Sequence, residues 1–236
     1  MFTVQQHERL GSTNDEARRL ALLGAEHGTV VQADEQTAGR GRRERAWYSP
    51  PGNLYMSALL RVDAPLHRLP ELSFLTAVAV ADAVDALLPK QTRAALKWPN
   101  DVLVNGGKIA GILLEQAGDA TIVGIGLNVL YAPHNVAYKT TTLAASGGIA
   151  SVDGARDILL ERLGVRLATW QEQGFPPIRE AWMARGHPIG TPLRAGIGNH
   201  PVEGTFAGLD DDGALLLDTD EGRKRVIAGD VGQPPV

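Results

Sequence analysis

The stretch "LKWPNDVLVNGGKIAGILLE", residues 96 to 115, is apolar enough to be sheet core, yet Lys97 and Lys108 stand inside it. A buried ammonium group without a partner costs several kcal/mol, so charges in such a pattern belong at strand ends and need an anion to meet them. The segment reads as a strand "ALKW", a turn "PND", a strand "VLVN", a hairpin signal "NGG" and a returning strand "KIAGILLE". In that arrangement Lys97 and Lys108 close on one anion, while Asn100 and Asp101 face a ligand and its Mg2+ at the sheet edge. The plainer reading leaves Lys108 as a hairpin-tip lysine and Asp101 as a turn former. It explains each residue singly but not the apolar strands around both.

Working outward, Ser12–Leu23 has helical spacing, with Thr13 and Glu16, or Ser12 and Asp15, in a capping-box pattern. Residues 28–36 and 53–61 read as strands, and 71–88 as an apolar helix between Pro70 and Pro89. "TIVGIGLNV" (121–129) gives a further strand. Residues 152–173 give a helix with Ile158, Leu159, Leu163, Leu167 and Trp170 on one face, and a short helix runs from Ile178 to Ala184. From His187 the texture changes to short strands, "VEGTFAGL", "ALLLDT" and "RKRVIAG", divided by "DDDG" and "DEG" turns. This predicts two units, residues 1–186 and a small β module at 187–236, with "GQPPV" as a loose tail. Asp210–Asp212 before Gly213 lacks the alternating ligand spacing of a calcium loop and reads as a hairpin turn.

The chain of 236 residues carries a net charge of −4 and no cysteine, which excludes disulfides, thiolate metal sites and a cysteine nucleophile. The amino terminus has no signal-peptide pattern, and 72–88 is too short and too charged to span a bilayer. These features place the protein in the cytoplasm. Against the acidic background, "GRGRRER" (39–45) holds four arginines and one glutamate, +4 − 1 = +3. A compact cation of that kind suits a small anionic ligand. It fits neither a GxxxxGK[ST] phosphate loop nor GxGxxG. Trp47 beside it reads as a stacking surface for a base or as a core residue. Ser12, Thr13 and Asn14, taken on their own, read first as helix caps.

"GSTN", "EQTAGRGRR", "SPPGNLYMS", "KWPNDVLVNGGKIAGILLE" and "GIGLNV", in this order, closely resemble the biotin–protein ligases. The resemblance covers essentially the whole chain. It implies an α+β fold with a mixed central sheet and helices, of the class II aminoacyl-tRNA synthetase-like biotin–lipoate ligase kind, followed by an SH3-like β barrel. It implies a two-step reaction: biotin and Mg-ATP give biotinyl-AMP and pyrophosphate, then a lysine of the biotin carboxyl carrier protein takes the biotinyl group. By motif, Ser12, Thr13, Asn14 and Gln36 contact the biotin head. Arg40, Gly41 and Arg42 close over biotin and phosphates, and Lys108 holds the biotin carboxylate. Lys97 neutralises the α-phosphate, and Asp101 orients or deprotonates the incoming lysine. Asn100 and Asn128 lie near phosphates and metal, and Arg45 and Trp47 line the ATP side. Arg42, Lys97 and Asp101 form the catalytic set.

Glu44 departs from the family, which often has glycine there. Family members that also repress transcription carry a DNA-binding domain ahead of "STN". Only 11 residues precede Ser12 here, so no DNA binding is expected. A homodimer through the sheet is a further expectation of the resemblance. The nearest alternative is a lipoate or octanoate ligase of the same fold. A second is a non-catalytic RNA-binding or adaptor protein, for which Asp101 and Lys108 would be dispensable.

Overall fold

A computed structural model describes residues 1–196 and 201–234. The main sheet contains β1 (Thr3–Leu10), β2 (Thr29–Gln36), β3 (Leu54–Leu60), β4 (Ala94–Lys97), β5 (Asp101–Val104), β6 (Gly107–Ala117) and β7 (Ala120–Leu127). Their order is β1-β2-β3-β7-β6-β5-β4, with β1 and β2 parallel and the other pairs antiparallel. Helices α1 (Thr13–Leu22), α2 (Glu71–Leu87) and α3 (Val152–Gln173) pack on it, and α4 (Pro176–Met183) packs on α2 and α3.

Side-chain alternation along the strands decides what each face does, because successive residues point to opposite sides. In β7, Val123, Ile125 and Leu127 enter the main core, where α2 and α3 cover the sheet and α4 packs on those two helices. The alternate residues Ile122, Gly124 and Gly126 point the other way. Among the described residues α1 is the helix on that second face, placing Ala17 and Ala21 on Val31, Leu59 and Ile122. The rest of the face has glycine where a core would have large residues, and this is where the site lies. Helix α2 is apolar nearly all round, as a helix buried between sheet and neighbouring helices must be.

One slip in register explains the opening lysines. Val102 pairs with Ala110, but Leu103 pairs with Lys108, so Ile109 is an extra residue in β6. Such a bulge transfers the following side chain to the opposite face. In unbroken register Lys108 would share the core face with Ala110; the bulge puts it on the open face with Asp101 and Leu103. Lys97, the last residue of β4, pairs with Asp101 and shares that face, while its neighbour Leu96 enters the core.

The second sheet holds β8 (Pro192–Gly196), β9 (Val202–Leu209), β10 (Leu215–Thr219), β11 (Gly222–Val226) and β12 (Asp230–Gly232), ordered β11-β10-β9-β8-β12. The expected barrel is here an open antiparallel sheet among the described residues, with no pairing between β11 and β12. β12 is only three residues long, and β11 displays Arg223, Lys224 and Arg225 along the free edge, a device that discourages edge pairing. The Asp210–Gly213 turn is the expected hairpin, with Gly213 at φ 85°. β12 begins before the tail read as loose; positions 235 and 236 of that tail lie outside the described residues.

Candidate functional site

Helix α1 begins over the glycine floor. Ser12, Thr13 and Asn14 are all buried at its first turn, and a Cβ at Gly124 would collide with the Asn14 side chain. Ser12 stands at the N-cap position, but its side chain makes no cap bond, so the capping box does not form. The polar groups are used otherwise. The Thr13 backbone N–H donates to Gln36 Oε1 at 2.8 Å, and Gln36 Nε2 donates to Ser49 Oγ at 3.1 Å. The Ser57 hydroxyl donates to Asn14 Oδ1 at 2.6 Å and lies 2.8 Å from the Thr13 hydroxyl. Asn14 Nδ2 donates to Glu115 Oε2 at 2.6 Å. These bonds fix a directed set of neutral donors and acceptors on the cavity side, backed by the Glu115 carboxylate, before any ligand arrives.

The cationic end lies across the sheet, over β6, β5 and β4. Lys108 Nζ sits 2.6 Å from Asp101 Oδ1, and over the rings of Trp47 and Tyr138 at 5.3 and 5.6 Å. Lys97 has no ion-pair partner among the described residues. The two ends line one cavity of about 230 Å³. From β7 to β4 it crosses three strand spacings, about 14 Å, so its occupant is elongated.

Residues 39–45 roof the cavity as a tight hairpin. Arg40 bridges Ala46, Gly41 N–H donates to Arg45 O at 2.7 Å, and Arg43 and Glu44 both take left-handed φ values of 55° and 56°. Glu44 thus occupies a position that suits glycine, which lacks the steric cost. The charges of this loop are not left to repel. Arg40 forms a two-pronged bond with Asp15 (2.8 and 2.6 Å) and approaches Glu115 at 3.6 Å. Arg43 and Arg45 reach Asp230 of the second sheet at 3.2 and 3.0 Å, and Arg42 donates to Asn100 Oδ1 and Gly229 O. Asp15 is held below the usual carboxylate range by the Arg40 hydrogen bond, and the guanidinium of Arg40 is raised in return. Arg42 is lowered instead, because burial outweighs its attraction to Asp230.

A second cavity of about 270 Å³, mostly apolar, adjoins Lys108 and is lined by Trp47, Val136, Tyr138 and Asn128, among others. Trp47 lies over the floor, where a Cβ at Gly126 or Gly111 would meet its ring. Its buried indole N–H has no partner among the described residues. Among the described residues no cluster of three His, Cys, Asp or Glu is placed to hold a metal. Asn100 and Asp101 are the oxygen donors by the cations, and both already serve Arg42 and Lys108.

The model of the biotin/lipoate A/B protein ligase family matches residues 7–130, and that of the biotin protein ligase C-terminal domain matches 189–231. The chain belongs to this family. The biotin–[acetyl-CoA-carboxylase] ligase of Paracoccus denitrificans is 41% identical over 235 residues, covering 94% of this chain and 97% of that one. The bifunctional ligase/repressor BirA of Bacillus subtilis is 38% identical, covering 95% and 72% respectively. Among solved structures, biotin protein ligase from Aquifex aeolicus in complex with biotin and ATP superposes with a TM-score of 0.86 at 28% identity, covering 98% of both chains.

Of the residues expected from sequence, Ser12, Thr13, Asn14, Gln36, Arg40, Gly41, Arg42, Arg45, Trp47, Lys97, Asn100, Asp101 and Lys108 all line the first cavity. Asn128 does not: its amide donates to Thr141 O at 3.1 Å and it borders the apolar cavity instead. Sequence reading passed over Ser57, Asp15, Glu115, Tyr138 and Asp230. Ser57, a lone hydroxyl in "LYMSALL", carried a signal, and Glu115 shares the parity of Gly111. Asp230 had none, because its role depends on how the second sheet docks. Among the described residues, no helix is long and apolar enough to cross a membrane.

Proposed function

We propose that this chain activates biotin with ATP to biotinyl-AMP, releases pyrophosphate, and transfers the biotinyl group to a lysine of a biotin carboxyl carrier protein. One observation carries the reading: a single elongated cavity joins a neutral donor–acceptor end to a cluster of cations. Biotin's ureido ring is neutral and needs both donors and acceptors, which Ser12, Thr13, Asn14 and Gln36 offer. Its carboxylate reaches Lys108. Bringing that carboxylate to the α-phosphate joins two anions, and Lys97 with Arg42 supplies preorganised positive charge for the charge that develops. The apolar cavity beside Trp47 and Tyr138 suits the flat face of adenine. The oxygen donors present fit a Mg2+ carried on the ATP phosphates better than a resident ion, since Mg2+ keeps few protein ligands; bound there, it would shield the triphosphate charge.

The Lys108–Asp101 pair sets an order. A biotin carboxylate on Lys108 competes with Asp101, and Asp101 so released is free to orient the carrier lysine and accept its proton. The proton leaves the lysine as its amine attacks the anhydride carbonyl, the amide forms, and AMP departs with the bonding pair. The roof of residues 39–45 keeps water from the anhydride meanwhile.

In this reading residues 1–186 bind the substrates and 187–236 steady the roof through Asp230. The reaction belongs in the cytoplasm, and a homodimer is part of the same reading. A lipoate ligase has less support, because a dithiolane ring leaves the directed polar network around Asn14 unmatched. The test is incubation with biotin, Mg-ATP and a carrier domain, read by intact mass. Biotinylation of the wild-type carrier and not of its lysine-to-alanine variant is expected. Modification with lipoate alone would overturn the choice of substrate.

A further inference from the structure

We infer that Glu115 is a positioning residue that ties the ureido end of the cavity to the arginine roof. Glu115 lies near the end of β6, on the open face, with its carboxylate three-quarters buried. One oxygen accepts the Asn14 amide hydrogen at 2.6 Å; the other lies 3.6 Å from Arg40 Nη2.

Each contact fixes something that a ligand requires. An asparagine amide can be turned over, exchanging donor and acceptor. A carboxylate accepts only, so Glu115 compels Asn14 to present Nδ2 to it and Oδ1 to the Ser57 hydroxyl. The polarity of the ureido end is therefore set by a charge 101 residues away in sequence. Arg40, for its part, is the near hinge of the roof: its backbone bridges Ala46 and its guanidinium is spent on Asp15 and Glu115. It is an anchor and not a free phosphate ligand, a role distinct from that of Arg42, which faces Asn100 and the second sheet. A ligand that pulls on Asn14 thus acts on the same carboxylate that holds the roof. Occupancy of the ureido end and closure of residues 39–45 become linked, with Glu115 as the shared member.

This rests on the ligase reading, and the experiment separates the two. Biotin affinity, the release rate of biotinyl-AMP and hydrogen exchange across 39–45 are measured for wild type, Glu115→Gln, Asn14→Ala, Arg40→Gln and the pairs. Glu115→Gln keeps the shape but loses the charge. It is expected to weaken biotin about tenfold, the scale of a lost charge-assisted bond, and to speed adenylate release and loop exchange. Asn14→Ala and Arg40→Gln should be non-additive in wild type and additive in the Glu115→Gln background. Asp15→Asn, at the exposed rim, should speed loop exchange while weakening biotin less than Glu115→Gln does, which covers the case of a poorly folding Glu115 variant. Unchanged affinity and release in folded Glu115→Gln, or coupling that persists without the carboxylate, overturns the inference while leaving the ligase reading intact. Absence of any biotin-dependent reaction in wild type overturns both.

Discussion

The two ends of the cavity are built on opposite plans. At the ureido end the groups that face the cavity are neutral and already bonded to one another through Ser57, Thr13, Asn14 and Gln36, with the Glu115 carboxylate behind Asn14. At the phosphate end several groups are charged, and protein counter-ions hold most of them: Lys108 by Asp101, Arg43 and Arg45 by Asp230. The first plan is a template, and its ligand adds bonds without breaking many. The second is a reserve, in which an anionic ligand must displace an internal carboxylate. A neutral template can be rigid because its dipoles satisfy one another through hydrogen bonds even when the site is empty. Bare cations cannot be packed so closely without partners.

Lys108→Ala should separate the plans most strongly. It removes a charge-assisted contact to the carboxylate, worth roughly 1.5–3 kcal/mol or about ten- to hundredfold in biotin affinity, and titration calorimetry reads it. Unchanged affinity would return Lys108 to the role of a hairpin-tip residue. Gly124→Ala attacks the template instead. The added methyl meets Asn14, and an overpacked site of this kind loses about 1–3 kcal/mol. Biotin binding should fall while ATP protection of residues near Lys97 persists; equal loss of both would mean the ends are not separable.

Asp230→Asn probes the reserve at its exposed rim. Surface ion pairs contribute roughly 0.2–1 kcal/mol, so the melting temperature should hardly move, yet exchange across 39–45 should quicken. Slower exchange would show that Asp230 does not hold the roof. The smallest effect concerns pH. Burial depresses His187 below its ordinary value of 6.5, with Lys97 adding repulsion. The unfolded chain then binds this proton first as pH falls, so stability is full above about 6.5 and declines below it. His187→Gln should flatten that slope in urea titrations; an unaltered slope would assign it to other groups.

Much of this was legible in the chain because alternation writes burial directly into sequence. "TIVGIGL" sends Val, Ile and Leu one way and glycine the other, and the helices at 13–22, 71–87 and 152–173 fall within a residue or so of their expected bounds. Edges were harder. β1 is an exposed strand of mostly polar residues, and β12 spans three residues, so neither has apolar periodicity to reveal it. The bulge at Ile109 was also hidden, since an extra residue in an apolar run leaves no compositional mark. Only the puzzle of a lysine in core sequence pointed to it. The partners of the arginine loop were unreadable for another reason: Asp15, Glu115 and Asp230 come from three separate elements joined only in the fold.

Biotin-dependent exchange of labelled pyrophosphate into ATP tests the account most directly, because it requires both ends of the cavity at once and no carrier protein. With Mg2+ and saturating biotin, folded wild-type protein should exchange rapidly, lipoate should not replace biotin, and Lys108→Ala should need far more biotin for the same rate. No exchange with biotin, or equal exchange with lipoate, would contradict it.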